Sequence, residues 1–368
     1  METIRANSDD AEFWVALSQI KGLTNANLCQ LLTRLGSPES VFNASISQLK
    51  EVVSAEIAST IKQGIDIGAI QPALDWLQKD NTHLVTLADK TYPQSLLQIS
   101  NPPAVLYGIG HLHWLNHPSI AMVGSRNATP QGERNAENFA ENLCTQGLCV
   151  VSGMALGIDG AAHRGALKSN GATIAVVGTG LDIVYPAKHR DLAHQIAERG
   201  LILSEFPLGT PSKAKNFPRR NRLISGLSLG CLVVEANIDS GSMISARLAS
   251  EQGREVFAIP GSIHSPVSKG CHHLIKQGAK LVESSTDIME ELKHLVPEQQ
   301  SRNVEVKSDE ITSEANDLLS AMGFDAISFE SLLEISGLTT EALSSMLMVL
   351  ELESKVTTLA GGHYQRLI

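Results

Sequence analysis

No long uninterrupted run of apolar residues occurs in this 368-residue sequence, although 43% of its residues are hydrophobic. A membrane-spanning helix needs about 20 consecutive, mostly apolar residues, and residues 1–10 are polar and acidic, unlike a secretory signal. We therefore expect a cytoplasmic protein with no membrane contact. Length and composition predict two or three domains with well-filled cores.

Cysteine and aromatic residues are also scarce. The five cysteines are scattered and form no CxxC pair, so they predict reduced core thiols rather than a disulfide framework. Aromatic residues make up 4% of the chain, which leaves few rings for stacking on nucleobases. Phe217 is the best candidate for such a ring, and a hydrophobic staple onto the following helix is the alternative role for it. Any affinity for nucleic acid should therefore come mostly from phosphates.

Two nucleotide-binding signatures are missing. The sequence has no GxxxxGK[ST] motif, and the segment from Gly178 to Gly180 lacks the third glycine of a dinucleotide fingerprint. His111, His113 and His117 are closely spaced, but the nearby carboxylates and cysteines that usually complete a metal site are absent. We therefore expect no cofactor and no bound metal.

The formal net charge of −10 is unevenly distributed. Residues 1–75 carry −4, 76–294 carry +2, 295–312 carry −2 and 313–368 carry −6. A local basic stripe can bind a polyanion while the rest of the protein repels it. The middle of the chain is therefore where an anionic ligand is expected.

A basic stretch, residues 213–226 (KAKNFPRRNRLISG), holds five cations and no carboxylate. Pro218 suits the first turn of a helix, and the unpaired N–H groups and macrodipole of such a turn favour an anion. The stretch therefore predicts a phosphate clamp built from Lys213, Lys215, Arg219, Arg220 and Arg222.

The three arginines of this stretch differ in direction on a helical wheel. Arg222 points away from the apolar face, Arg219 flanks it and Arg220 points toward it. An arginine aimed inward needs a partner. For Arg220, a structural salt bridge with Glu205 or Glu235 and a phosphate contact are therefore equal alternatives.

Six apolar runs alternate with helical patterns after residue 119. They are IAMVGS (120–125), CVVSG (149–153), TIAVVGTG (173–180), LILSEF (201–206), CLVVEA (231–236) and VFAIPG (256–261). Such continuously apolar runs, separated by helices, are typical of a parallel sheet covered on both faces. Residues 119–294 are therefore predicted to form a doubly wound α/β domain with its ligands at the carboxyl ends of the strands.

Small and polar residues collect after four of these strands. The loops are Gly124-Ser125-Arg126, the segment from Ser152-Gly153 to Asp159, Gly178-Thr179-Gly180, and Ser240-Gly241-Ser242. Each alone is a weak signal because a βα turn needs glycine for its geometry, but four at one sheet edge predict an anion site. We interpret Asp159 and His163 as a capping and orienting couple rather than an acid–base pair, because no nucleophile is indicated beside them.

Four flanking segments complete the predicted organisation. Residues 1–75 are predicted to be helical, like a degenerate helix-hairpin-helix or SAM-like unit, with one helix capped near Gly36 and the next started by Ser37-Pro38. Residues 76–118 are predicted to be a connector that packs on the core. Residues 295–312 are polar and unpatterned, which predicts a linker. Residues 313–368 predict three helices and a hairpin, as in a winged helix. Its third helix is acidic and apolar, which favours protein contact or structural support over DNA reading.

Seven ordered motifs resemble those of the DNA-processing protein A family, also called DprA or Smf. They are GSR (124–126), SGMALGIDGAAH (152–163), GTGLDIVYP (178–186), SEFPLGT (204–210), FPRRNRLISGLS (217–228), VVEANIDSGS (233–242) and GREVFAIPG (253–261). The resemblance implies an extended Rossmann-like core that binds single-stranded DNA and forms a homodimer. It also implies that the protein hands the strand to the recombinase RecA during natural transformation and is not an enzyme.

The resemblance further implies which residues contact the strand. The matching positions are Arg126, Ser152, Gly153, Arg220, Asn221 and Arg222. Lys188 and Lys213 or Lys215 are further phosphate contacts, and the predicted site also includes Gly124, Ser125, Phe217, Arg219, Ser240, Gly241 and His272. Many relatives have asparagine where this chain has His272, which leaves open a pH-sensitive contact or a neutral replacement.

Two classes of function follow from these patterns. The first is a non-catalytic binder of single-stranded DNA that mediates recombination. The alternative is an enzyme acting on a phosphorylated nucleoside, because related Rossmann-like folds with glycine-rich loops include phosphoribohydrolases. Asp159, Glu235 and Asp239 would then be its acids.

Overall fold

The structure is a computed structural model that describes residues 10–169, 171–295, 313–359 and 361–367. The predicted linker, residues 295–312, lies outside the described residues apart from Leu295.

Six helices form the N-terminal region. They are α1 (Ala11–Gln19), α2 (Asn25–Leu35), α3 (Pro38–Asn43), α4 (Ile46–Lys50), α5 (Ala55–Lys62) and α6 (Ile67–Leu77). Helix α2 ends at Gly36, and α3 begins with Pro38 after the Ser37 side chain accepts a hydrogen bond from the Ser40 amide. These are the boundaries that the sequence predicts.

Nine strands form one mixed sheet. They are β1 (Thr82–Thr86), β2 (Val105–Gly110), β3 (Ser119–Val123), β4 (Cys149–Ser152), β5 (Thr173–Val176), β6 (Leu201–Ser204), β7 (Gly230–Val233), β8 (Glu255–Ala258) and β9 (Lys280–Leu281). Their order is β1-β2-β6-β5-β4-β3-β7-β8-β9. The pairs β1–β2 and β2–β6 are antiparallel, and all other pairs are parallel. All six predicted strands are confirmed, and the predicted connector adds β1 and β2 to the same sheet.

Helices cover both faces of this sheet. They are α7 (Gln94–Leu97), α8 (Pro130–Thr145), α9 (Ile158–Lys168), α10 (Arg190–Arg199), α11 (Asn216–Gly226), α12 (Gly241–Glu251), α13 (Lys269–Lys276) and α14 (Ser285–Leu292). Successive residues of β3 alternate between two cores: Ala121 packs in the one that contains Leu223 of α11, and Met122 in the one that contains Ala140 of α8. This alternation is what a parallel sheet buried on both faces requires, and it confirms the doubly wound prediction.

The C-terminal region is a small winged helix. Its elements are α15 (Ser313–Met322), β10 (Ile327–Ser328), α16 (Phe329–Ser336), α17 (Thr340–Leu352), β11 (Val356–Leu359) and β12 (His363–Arg366). The three strands pair in the order β10-β12-β11. Among the described residues no single helix is long and apolar enough to span a membrane; α16 and α17 reach that size only together, and they are bent by 110°.

Candidate functional site

The candidate site is a cleft where the winding of the sheet reverses. Strands β3 to β6 follow one another toward one edge of the sheet, whereas β7 returns to the other side of β3. Loops that leave two such neighbouring strands diverge and open a crevice at their carboxyl ends. The cleft has a volume of about 580 Å³. It is lined by eight predicted site residues, Gly124, Ser125, Arg126, Phe217, Arg220, Asn221, Ser240 and Gly241.

Close backbone packing fixes the loop that follows β3. A Cβ at Gly124 would lie 2.5 Å from Cγ1 of Ile158 and 2.9 Å from the carbonyl of Glu235, so only glycine fits there. The Ser125 amide donates to the Glu235 carbonyl at 2.7 Å, and the Ser125 carbonyl accepts from the Ile158 amide at 3.2 Å. This loop is therefore held at both the end of β7 and the start of α9, and it carries the exposed side chain of Arg126.

Phe217, in the first turn of α11, is the centre of a small aromatic and cationic group. The guanidinium carbons of Arg126 and Arg220 lie 5.4 Å and 5.9 Å from the centre of its ring. The Tyr185 ring is tilted against it at 5.7 Å, and a Cβ at Gly178 would lie only 3.3 Å from it. Phe217 is half-buried, and it anchors these neighbours instead of presenting a bare face to the cleft.

Arg220 points inward, as the helical wheel predicts, but it forms no salt bridge with either predicted partner, Glu205 or Glu235. Its side chain is buried, and Nη1 donates to the carbonyl of Val176 at 2.6 Å. The charged group beside it is Asp159. Burial lowers the pKa of Arg220 to about 10, while Asp159 opposes that change, so this arginine remains charged at neutral pH. A salt bridge of Arg220 with Glu205 or Glu235 is therefore the wrong expectation.

Asp159 fills the loop that follows β4. Its carboxylate accepts hydrogen bonds from the amides of Gly153 at 3.2 Å and Ala155 at 3.3 Å. Burial raises the pKa of Asp159, and Arg220 partly offsets that rise. The two amides that could have bound a phosphate are thus occupied by the protein's own carboxylate. His163, four residues later, is bonded to Thr173 at 2.7 Å and not to Asp159, so the predicted orienting couple of these two residues is wrong.

Ser152 and Gly153 are both predicted to contact the strand, but both are buried and neither lines the cleft. The Ser152 side chain is fully buried and donates to the Met122 carbonyl at 2.6 Å. Gly153 is also buried, and a Cβ there would collide with Arg220. Both residues therefore have structural roles: Ser152 ties β4 to β3, and the missing side chain of Gly153 leaves room for Arg220.

Arg222 corrects a second expectation, since it is buried and does not point to solvent. It donates to Glu205 at 2.5 Å and to the Asn101 carbonyl at 2.5 Å. Arg219 pairs with the same carboxylate at 2.9 Å, although its own side chain is half-exposed. The Glu205 side chain is only 1% exposed, so it needs both cations. The helical wheel does not show this because the segment around α7 packs against the face of α11 that the wheel assigns to solvent. At Gly226, four residues after Arg222, a Cβ would lie 2.8 Å from Ile99.

The predicted lysines and His272 lie outside the lining of the cleft. Lys188, Lys213 and Lys215 are exposed, and the neighbours of the last two, Ser212 and Ala214, line the cleft, so these two lysines flank its rim. His272 is half-buried, and its Nε2 lies 3.0 Å from the Gly261 carbonyl. A direct strand contact by His272 is therefore not supported by its position.

The residues proposed for catalysis do not share the cleft. Glu235 accepts hydrogen bonds from the Thr129 amide at 2.9 Å and the Thr129 hydroxyl at 2.5 Å, and thereby holds the start of α8. Asp239 is exposed and, like Glu235, does not line the cleft, which leaves Asp159 as the single carboxylate among the described lining residues.

Tyr185 is a lining residue that sequence reasoning missed. The signal was present, because Tyr185-Pro186 directly follows the glycine loop of β5 within the GTGLDIVYP motif. The sequence favours Phe217 over Tyr185 as a stacking ring because Phe217 lies among arginines.

Comparisons with known proteins agree with the fold. The chain matches the DNA recombination-mediator protein A family over residues 83–293 and the DprA winged helix domain over residues 305–362. It is 38% identical over 364 residues to Protein Smf of Escherichia coli K12, which covers 96% of this chain and 95% of that protein.

Two solved structures are similar as well. The X-ray structure of DNA processing protein A from Streptococcus pneumoniae aligns with a TM-score of 0.69 at 36% identity, covering 78% of this chain and 99% of that one. A structure of DNA processing protein A from Helicobacter pylori, described as showing a unique single-stranded DNA binding mode, aligns with a TM-score of 0.53 at 31% identity and covers 58% and 97%. This chain belongs to the DNA recombination-mediator protein A family.

Proposed function

We propose that the chain is a non-catalytic protein that binds single-stranded DNA at the cleft and mediates recombination. The observation that carries the proposal is the position of Arg126, whose exposed guanidinium stands at the cleft on a loop already fixed by Gly124 and Ser125. A planar guanidinium matches the geometry of a phosphate. Because its loop is ordered beforehand, binding costs little conformational entropy. The binding mode described for the Helicobacter pylori protein supports the same ligand.

Further positive potential surrounds this arginine. Arg220 contributes a buried cation to the wall of the cleft. The first turn of α12, from Gly241, also lines the cleft, and the N–H groups and dipole of a helix N-terminus favour phosphate oxygens. Exposed Lys213 and Lys215 extend the positive charge beyond the cleft. Cations spread in this way suit a chain of phosphates better than a single one.

The alternative of a nucleotide-cleaving enzyme has less support. Glu235 is engaged by Thr129, and Asp159 by two backbone amides and the nearby charge of Arg220. General acid–base catalysis needs a carboxyl group within hydrogen-bonding reach of the reacting atoms. Asp159 lies buried in the wall of the cleft, and the two backbone amides bonded to its carboxylate favour a structural role.

We further propose that the protein acts as a homodimer in the cytoplasm and hands its strand to RecA during natural transformation. Membership of a family of recombination mediators supports this proposal. It predicts that the purified protein sediments as a dimer and increases the rate at which RecA coats a strand.

Oligonucleotide length tests the binding proposal. In a mobility shift assay, the affinity should rise steeply as a single strand grows from one nucleotide to several, and excess AMP should compete poorly. Saturable binding of AMP with no gain from longer strands, together with release of base or phosphate that Asp159→Asn abolishes, would replace this proposal with the enzyme.

A further inference from the structure

Two of the described residues that line the cleft are aromatic, Phe217 and Tyr185, and they differ in how much of the ring a ligand can reach. Phe217 is half-buried, with the guanidinium groups of Arg126 and Arg220 over its ring. Tyr185, in contrast, is 47% exposed, and the centre of its ring lies 5.7 Å from the centre of the Phe217 ring. Within the part of the chain that the structure describes, the Tyr185 hydroxyl makes no hydrogen bond.

The loop that carries Tyr185 is well anchored. On one side of it, the Thr179 hydroxyl donates to the Ile183 carbonyl at 3.0 Å. On the other side, the His189 amide donates to the Pro186 carbonyl at 3.0 Å, and Nδ1 of the buried His189 lies 3.0 Å from the Met154 carbonyl. An exposed aromatic ring is therefore held in place by buried contacts, and ordering it on binding costs little.

We propose that Tyr185 is a stacking platform for a nucleobase of a strand whose phosphates contact Arg126. Both side chains touch the ring of Phe217, which sets the base-binding and the phosphate-binding group side by side along the cleft. Every base has a π face, so this contact discriminates single strands from paired DNA without reading sequence. The inference rests on the proposed function of the cleft.

Stacking of a base on Tyr185 should have a measurable effect on the affinity for single strands. Stacking of one base on an aromatic side chain is worth roughly 5- to 150-fold in affinity and tolerates any base. Arg126, in contrast, acts on phosphates, so its loss weakens binding whether or not bases are present. The two residues can therefore be separated with oligonucleotides that lack bases.

The test compares Tyr185→Leu, Tyr185→Phe and Arg126→Ala on a single strand and on a fully abasic strand of the same length, by fluorescence anisotropy. Tyr185→Leu should lose roughly 5- to 150-fold in affinity for the normal strand and almost nothing for the abasic strand, whereas Tyr185→Phe should bind like the wild type. Arg126→Ala should lose affinity for both strands. Phe324→Leu, which changes an exposed ring of the winged helix, is the matched control and should alter neither.

Tyr185→Trp supplies a second readout. Its fluorescence should be quenched when the normal strand binds and remain unchanged with the abasic strand. The inference is overturned if Tyr185→Leu binds the normal strand like the wild type, or if it loses as much on the abasic strand, as a protein contact or a structural role would predict. If the wild-type protein binds neither strand, the proposed function fails along with the inference.

Discussion

Arg222→Ala should destabilise the protein strongly without removing a DNA contact. The change deletes a guanidinium that donates to Glu205 at 2.5 Å and to the Asn101 carbonyl at 2.5 Å. It leaves a carboxylate that is 1% exposed, with only the half-exposed Arg219 as partner. Removing one member of a buried ion pair typically costs about 3–5 kcal/mol. Because Arg219 remains, we expect the lower end, about 3 kcal/mol.

For a domain of this size, each kcal/mol shifts the melting temperature by roughly 2–4 °C, so Arg222→Ala should melt about 6–12 °C below the wild type. Circular dichroism melts, with urea denaturation as a second measure, give this value. The double variant Glu205→Gln/Arg222→Ala should recover part of the loss, since no unpaired carboxylate remains. Arg126→Ala, which removes an exposed guanidinium, is the control and should melt like the wild type. If Arg222→Ala keeps the wild-type melting temperature and instead flattens the salt dependence of binding, the structural role is refuted.

Three further predictions concern pH, the cap of α8 and the winged helix. Burial lowers the pKa of His163 to about 3. Below about pH 6.5 the unfolded chain therefore binds a proton at this residue that the folded protein does not bind, and the free energy of unfolding should fall as the pH falls toward 3. The melting temperature of His163→Gln should fall less steeply than that of the wild type over this pH range. Glu235→Gln should cost about 1–3 kcal/mol in urea denaturation by weakening two bonds to Thr129, with the salt dependence of DNA binding unchanged. Deleting residues 312–368, net −6, should leave strand affinity intact or slightly raised; a loss of about tenfold with the core still folded would contradict this.

Much of the fold could be predicted because its signals are local. Continuous apolar runs placed six of the seven strands in the parallel part of the described sheet, all but the two-residue β9, and Gly36 with Ser37-Pro38 marked a helix boundary. The antiparallel strands β1 and β2 could not be assigned to the sheet in the same way. β2 pairs with β6, about 95 residues away along the chain, and β1 joins the sheet only through β2. No local pattern specifies such a distant partner.

The position of the cleft was predicted from the sequence, but the contacts of several residues around it were not. Glycine loops at one sheet edge identified the cleft, because parallel topology brings strand ends together. The role of Arg222 depends on α7, a short helix whose packing against α11 turns an apparently solvent-facing position into a buried one. Likewise, the capture of two loop amides by Asp159 is a tertiary arrangement, and the sequence showed only that a glycine loop and an acid were near each other.

The most direct test of the account is the salt dependence of single-strand binding by Arg126→Ala. The logarithm of affinity for a single strand falls with the logarithm of salt concentration at a slope of about −0.7 per neutralised phosphate. Arg126→Ala should therefore bind more weakly, flatten that slope by about 0.7 and do so alike for every base sequence. The control is Arg247→Ala on α12, an equally charged change at an exposed position outside the cleft lining; it should leave the slope unchanged. Wild-type affinity and an unchanged slope in Arg126→Ala would place the binding site elsewhere.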